Sequence, residues 1–470
     1  MKFVLGIDVA CRAAHQGTLA DQDGTLVWRG HRFWSTPEEL EGVWARVIRK
    51  AGRDGEVQVV MEPTRNAWVL LAYWFTARGA SVVLVPTTQS ADLRAYYCKH
   101  TKNDRLDSQV LARLPLLHPE GLHPFTGLGP ADPLRRATRL RASLVGRRTA
   151  SQQRLDAYLE ILGPGWYQAL GTDFGKTALA VLGRYANPDT LLRLGKARLT
   201  QFLIRHSRGQ WAEPRADLLL AAARQSQHLW GSDLDFAALA ADIAVEVTLI
   251  TALDTQISEL EARIAVLYAT ADPDAIVASA PGVGATLAPV IHARLGDPTR
   301  FHNLAAVRRF SGLVPKVNHS GLKLTDHAGI TKAGDPHLRQ AVFLAADQAR
   351  RSDPQLAAAY KRLMENGAHH TSATCHIATR LLTRIGSCVR NHQPYVIRDI
   401  NGTALTPQQG RRIVQDRYQI DPAVRKTNRK ARASQTIKGR AGREKKESPS
   451  APSHRPATHE NTPKELLDIR

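Results

Sequence analysis

The chain opens on Phe3–Val9, an apolar run bounded by charge, and this pattern predicts a strand. Thr18–Ala20 and Thr25–Trp28 flank Asp21-Gln22-Asp23-Gly24, a turn sequence that predicts a hairpin, and another strand is expected around His31–Trp34. Ser35-Thr36-Pro37-Glu38-Glu39 combines a cap residue, a proline and early acids, the marks of a helix start. Leu40, Val43, Trp44, Val47 and Ile48 then recur at helical spacing. Val57–Met61 reads as a strand, Trp68–Ala77 as a helix and Ser81–Val85 as a strand. Hairpin-linked strands followed by alternating helices and strands predict an α/β domain of RNase H-like order over residues 1–118. A doubly wound nucleotide-binding domain would alternate from its first strand.

Pro and Gly crowd His118–Pro133, which marks a linker. Beyond it Leu134, Leu140, Leu144 and Leu155 recur among arginines and predict a basic helix, and residues 164–235 are expected to form short helices. Ile250, Leu253, Ile257, Leu260, Ile264 and Leu267 are spaced alternately three and four, the seam of a coiled coil or of a long packing helix, within the chain or between copies. Residues 134–268 therefore read as a helical, coiled-coil region and 274–395 as a mainly α-helical domain. From 402 to 470 Arg, Lys, Ser, Pro and Thr dominate, and a basic, disordered tail is expected.

Composition narrows the function. Lys and Arg number 64 against 43 acidic residues, a net charge of +21, which favours a polyanionic partner, DNA or RNA. Arg135, Arg136, Arg139, Arg141, Arg147, Arg148 and Arg154 crowd one segment, and the first three are candidate phosphate contacts. No apolar run approaches the ~18 residues of a membrane span, and the N-terminus lacks a signal-peptide pattern, so no membrane association and a cytoplasmic location are expected. The four cysteines form no Cys-x-x-Cys pair, which argues against a disulfide framework or zinc ribbon. His369, His370, Cys375 and His376 match no zinc spacing either and are expected to pack or face solvent at a helix start.

Four acids stand out by position. Asp8 ends the first strand, Glu62 follows Val59-Val60-Met61, and Asp104 and Asp107 sit three apart at a helix start, on one face. Each alone reads as a cap or a surface ion-pair partner. Together, at adjacent strand ends and on a facing helix, they form the hard-oxygen set that holds two Mg²⁺ ions about 4 Å apart for phosphodiester chemistry.

A second region carries weaker signals. Pro281-Gly282-Val283-Gly284 opens a helix and is compatible with a helix-hairpin-helix phosphate contact or an ordinary turn. Ser320-Gly321 lies among Lys316, Lys323 and Lys332, where a serine near bound phosphate could act as a nucleophile; Ser311 competes with it.

These residues resemble the IS110-type transposases of insertion sequences. The N-terminal match runs through Gly6-Ile7-Asp8, Met61-Glu62-x-Thr64, Val85-Pro86 and Lys102-Asn103-Asp104-x-x-Asp107. The C-terminal match runs through Pro281-Gly282-Val283-Gly284, Phe310-x-Gly312-Leu313-x-Pro315, Ser320-Gly321, Ile330-Thr331-Lys332-x-Gly334 and Leu338-Arg339. The resemblance implies a RuvC-like DEDD nuclease domain joined to a transposase domain, excising and inserting a mobile element. By position it implies Asp8, Glu62, Asp104 and Asp107 as Mg²⁺ ligands and Ser320 as the residue joined covalently to DNA. It also implies a structured guide RNA and a homo-oligomer, dimer or tetramer. Arg65-Asn66 departs from the family pattern, where glycine is frequent. A structure-selective Holliday-junction nuclease using the four acids alone, and a non-catalytic nucleic-acid-binding protein, are the competing readings.

Overall fold

The computed structural model describes residues 2–52, 54–86, 104–117, 122–297, 300–316, 319–320, 323–324 and 329–431, and it divides into two compact units, Met1–Pro130 and Ala131–Arg470.

The first unit is a mixed α/β sheet. Its elements are β1 (Lys2–Asp8), β2 (His15–Ala20), β3 (Leu26–Phe33), α1 (Pro37–Ala51), β4 (Glu56–Met61), α2 (Ala67–Thr76), β5 (Ser81–Leu84), α3 (Asp104–Leu117) and β6 (His123–Pro124). The sheet order is β3-β2-β1-β4-β5-β6, with β1, β4 and β5 parallel to one another and β2, β3 and β6 antiparallel to their neighbours. Thr25–Trp28 and His31–Trp34, expected as two runs, fall in one strand; Gly30 at φ 61° and the register shifts opposite it absorb the irregularity. The expected helix start is seen at α1, where Thr36 Oγ1 accepts from Glu39 N and Pro37 follows. The unit runs past the expected limit at 118, because β6 pairs with β5 and Phe125 packs on Trp68 and Tyr73.

Strand alternation sorts the core. Phe3, Leu5 and Ile7 join Val57, Val59 and Met61 beneath α1 and α2, while Val4, Val60 and Val83 face Leu111 and Leu114 of α3. By the same alternation Gly6 and Asp8 belong to the α3 face.

The second unit begins with α4 (Asp132–Leu162), followed by the short helices α5 (Gly165–Leu170), α6 (Lys176–Tyr185), α7 (Pro188–Leu194) and α8 (Lys196–Ser207), then α9 (Glu213–Trp230) and α10 (Phe236–Ala271). Trp166 centres their core and donates from Nε1 to Ser226 Oγ at 3.0 Å. Three arginines of α4 meet acids of α10 in reverse order: Arg141 with Glu261 (2.7 Å), Arg148 with Asp254 (2.5 Å) and Arg154 with Glu246 (2.6 Å). That order makes the two helices an antiparallel pair. Ile250, Ile257, Leu260 and Ile264 of the expected seam are buried, the last two against Leu134 and Ala137 of α4, so the seam closes within the chain. Among the described residues α10 is long and apolar enough to cross a membrane by length and composition, contrary to the expectation that no such segment exists. Its buried face and ion-pair ladder are those of a core helix.

The remaining elements are α11 (Leu287–Leu295), α12 (Leu304–Ser311), β7 (His319–Ser320), β8 (Lys323–Leu324), α13 (Pro336–Ala349), α14 (Pro354–Glu365), α15 (His370–Arg390), β9 (Ile397–Arg398), β10 (Ala404–Leu405) and α16 (Pro407–Arg417), with a last helix over 422–431. Residues 402–431, expected to belong to the basic tail, are therefore folded. Leu405, Ile420 and Val424 pack on the helical core, and the buried Asn428 amide donates to Met364 O (2.8 Å) and Ala368 O (3.0 Å). Residues 432–470 of the expected tail lie outside the described residues.

Candidate active site and nucleic-acid interface

β1 and β4 are parallel neighbours with Ile7 opposite Met61, so Asp8 and Glu62 emerge side by side at the same sheet edge, strands being about 4.8 Å apart. The direction of α3 follows from its contacts. Leu116 lies against the Gly24 turn, and Arg113 Nε donates to Gly24 O (3.3 Å) near the start of β1. Ser108 Oγ meets Thr18 Oγ1 at 2.8 Å, and Thr18 is paired with Gly6 farther along β1. The helix thus runs antiparallel to β1, and its first turn, with Asp104 and Asp107, reaches the edge where Asp8 and Glu62 emerge.

Gly6 makes this approach possible. A Cβ there would lie 2.3 Å from Ala112 N and 2.4 Å from Ser108 O, both backbone atoms of α3. The loop after Asp8 is tied down by His15, which is buried, accepts from Ala10 N at Nδ1 (3.1 Å) and meets Ser35 Oγ at Nε2 (2.8 Å). Burial holds its pKa below the usual histidine value.

Asp8, Glu62 and Asp107 are each half-buried, and the Asp104 side chain lies outside the described residues. Among the described residues no three His, Cys, Asp or Glu side chains are gathered tightly enough to hold a metal ion. The donor chemistry nonetheless suits a hard divalent cation: the candidate groups are carboxylates, and topology brings Asp8, Glu62 and the first turn of α3 to one edge. The helix dipole adds its positive end at the first turn of α3, where anionic groups are favoured.

In the second unit Ser311 is fully buried; its Oγ donates to Arg308 O (2.7 Å) and accepts from Leu313 N (3.3 Å). Ser320 pairs with Lys323 in the two-stranded β7–β8 ribbon, whose base is tied by Pro315 opposite Ile330 and by Lys316 N to Gly329 O (2.9 Å). The side chains of Ser320 and Lys323 lie outside the described residues; Lys316 and Lys332 are exposed. Gly282 lies in the turn that precedes α11. Its φ is 75°, and a Cβ there would meet Ala345 O at 2.2 Å, so the glycine lets this turn pack onto α13.

The Arg-rich helix divides in two. Arg141, Arg148 and Arg154 are committed to the α10 ladder, and Arg136 is exposed and paired with Asp132 (3.0 Å). Arg135 and Arg139 instead lie close to Arg294, Arg300 and His337, three basic groups whose spacing along the chain gives no hint of a cluster. His369 caps α15 and His370 bonds to Tyr360 Oη (2.8 Å), a packing role as expected.

Two family models match this chain: an IS110-type DEDD transposase model over residues 5–164 and a transposase model of the IS116/IS110/IS902 family over residues 274–361. The chain is 27% identical over 343 residues to the 42 kDa protein of insertion element IS900 from Mycobacterium paratuberculosis, covering 73% of this chain and 84% of that one. It is 25% identical over 411 residues to the 43.6 kDa protein of IS110 from Streptomyces coelicolor, covering 85% and 97%. It is also 25% identical over 395 residues to the 44.8 kDa protein of IS116 from Streptomyces clavuligerus, covering 82% and 94%. With both transposase regions present in order, and relatives from three insertion elements matched over most of their lengths, the chain belongs to the IS110 family of transposases, enzymes that recombine DNA.

Proposed function

We propose that this transposase excises and inserts a mobile element by phosphoryl transfer, with Asp8, Glu62, Asp104 and Asp107 of an RNase H-like, RuvC-like domain holding Mg²⁺ and with Ser320 as nucleophile. The observation that carries this reading is the meeting of Asp8, Glu62 and the first turn of α3 at one sheet edge. The order β3-β2-β1-β4-β5, with the hairpin strands first, supports the RNase H-like assignment.

Bound there, the divalent cations neutralise charge that builds on phosphate oxygens. The protein's own part is positional. Gly6 brings α3 within reach of β1, the Ser108–Thr18 bond sets its register, and His15 holds the loop after Asp8. Ser320 Oγ forms a bond to phosphorus as one P–O bond to deoxyribose breaks. The serine proton leaves, and the departing oxygen takes one up. The phosphoserine ester retains the energy of the broken bond, so rejoining needs no ATP. Ser311 is disfavoured as the alternative because its hydroxyl is buried and bonded to backbone on both sides. A ribbon is a suitable carrier for Ser320, since it lets the residue reach acids of its own or another copy in a homo-oligomer. A structured guide RNA, selecting donor and target DNA, and a cytoplasmic site of action complete the reading.

The test is covalent adduct formation on DNA by Ser320→Ala beside Ser311→Ala and Asp107→Asn. Adduct is expected only from Ser311→Ala. An adduct formed by Ser320→Ala removes the serine mechanism at this position, and full cleavage by Asp107→Asn removes the acid assignment.

A further inference from the structure

Where α4, α11 and α13 meet, cations outnumber anions in a partly buried space. Arg294, in the last turn of α11, is 5% exposed; its Nη1 donates to Asp335 Oδ2 at 3.2 Å, and its buried Nε has no hydrogen-bond partner. Arg300 donates to Leu295 O and Arg294 O at 3.1 Å each and lies over the rings of Phe301 (4.3 Å) and Phe310 (4.7 Å). Arg135 reaches across from α4 to donate to Ala293 O at 3.1 Å. Arg139, one helical turn later, is exposed and makes no hydrogen bond or ion pair with a described residue. His337 sits in the first turn of α13.

Against these stand Asp297 and Asp335, and Asp335 is also the helix cap of α13, accepting from His337 N and Leu338 N at 2.9 Å each. Burial, opposed in part by Asp335, pulls the Arg294 pKa below its usual value, and Arg139 and Arg135 add to the pull. Burial and Arg294 do the same to His337. Guanidinium groups do not discharge at physiological pH, so the repulsion persists in the free protein.

The carbonyls ending α11 account for Arg135 and for Arg300. They do not account for Arg139, nor for the unpartnered Nε of Arg294. What satisfies several guanidiniums at a helix N-terminus is an anion with several acceptor oxygens, and planar guanidinium forks match phosphate oxygens in pairs. The place also bears on the chemistry. Asp335 N bonds to Phe310 O (2.8 Å) and Lys332 N to Gly312 O (3.1 Å), which tie the end of α12 to the start of α13 at the root of the ribbon that carries Ser320.

We propose that Arg135, Arg139, Arg294 and His337 form an anion site that clamps one backbone phosphate of bound nucleic acid at the root of the Ser320 ribbon. The proposal rests on the reading that this unit handles a nucleic-acid strand; it adds the place where the strand is held. Arg294 is the buried member of the set, and Arg139 is the exposed one. Asp335 limits the affinity of the free site by partly neutralising Arg294.

Fluorescence anisotropy of the full chain tests this, with a duplex DNA and a stem–loop RNA titrated separately across a salt series. Arg139→Ala lies on an exposed surface and preserves the fold. It should lower the slope of log K against log salt by about 0.7–0.9, one phosphate contact, on whichever nucleic acid occupies the site. Arg148→Ala, whose guanidinium is already paired with Asp254, should leave the slope unchanged. Asp335→Asn keeps a capping side chain and removes the opposing charge, so it should tighten binding several-fold. Equal slopes for wild type and Arg139→Ala on both nucleic acids overturn the proposal, as does Asp335→Asn without tighter binding. Loss of the Ser320 adduct assignment with these shifts intact would remove only the mechanism above, whereas a wild-type chain that binds neither nucleic acid would remove both.

Discussion

Gly6→Ala is the substitution that most directly tests how the acid edge is built. A single methyl group would be placed 2.3 Å from Ala112 N and 2.4 Å from Ser108 O, where ordinary contact begins near 3.4 Å. Both obstructing atoms are helix backbone, so no rotamer change relieves them, and α3 must lift from β1 by about 1 Å. Overpacking of this kind costs about 1–3 kcal/mol, and a unit of this size loses roughly 2–4 °C in melting temperature per kcal/mol. The larger effect falls on chemistry. A displacement of about 1 Å at Asp107 is expected to slow strand cleavage on the order of 10²-fold, because positioning contributes steeply to rate. Hydrogen exchange across α3, thermal unfolding and a single-turnover cleavage assay report the three consequences separately. Cleavage should fall further than stability alone explains, with α3 amides exchanging faster. A variant with wild-type exchange, melting and cleavage would refute the backbone-to-backbone packing of α3 on β1 and the placement of Asp107 that depends on it.

The other predictions concern pH and a buried polar cluster. His15 accepts Ala10 N–H at Nδ1, so the fold needs the neutral ring, and its pKa in the folded state lies below that in the unfolded chain. Its contribution is therefore complete above about pH 6.5 and is lost as pH falls through the lower folded value; melting temperature measured between pH 8 and pH 5 should drop more for wild type than for His15→Asn. Asp353, fully buried, accepts from Tyr395 Oη (2.6 Å), Arg384 Nη1 (3.3 Å) and Leu356 N (3.0 Å). Asp353→Ala should cost about 3–5 kcal/mol in denaturant unfolding at unchanged m, and an effect below about 1 kcal/mol would show that these groups rehydrate freely.

The sheet of the first unit was largely legible because buried parallel strands read as unbroken apolar runs: Phe3–Val9 and Val57–Met61 each lie within about one residue of β1 and β4. The neighbouring positions of Asp8 and Glu62 followed from those strand ends. β6 was hidden, since a two-residue edge strand containing Pro124 carries no periodicity, only pairing with β5. The seam at 250–267 was visible, but its partner was not. Ile257 and Leu260 repeat identically whether they face α4 or a second chain, and what distinguishes the two is the reversed pairing of Arg141, Arg148 and Arg154 with acids about a hundred residues away. The folding of residues after 402 escaped composition because few apolar side chains are involved; Asn428 acts through two hydrogen bonds to backbone carbonyls. The cluster around Arg294 depends on three helices converging, which spacing along one chain does not encode.

The clasp made by Asn428 has a consequence for the order of events during synthesis. Domains fold as they leave the ribosome, N-terminal parts first, and the sheet bearing Asp8 and Glu62 can close early. The second unit cannot finish at α15: Ile397 belongs to its core, Val424 packs against it, and residue 428 must emerge before Met364 O and Ala368 O are satisfied. Only then is the second unit complete, so products that stop short of this point are left with a closed sheet unit but an unfinished helical partner. An enzyme that rearranges the genome encoding it is thereby brought to competence late in translation.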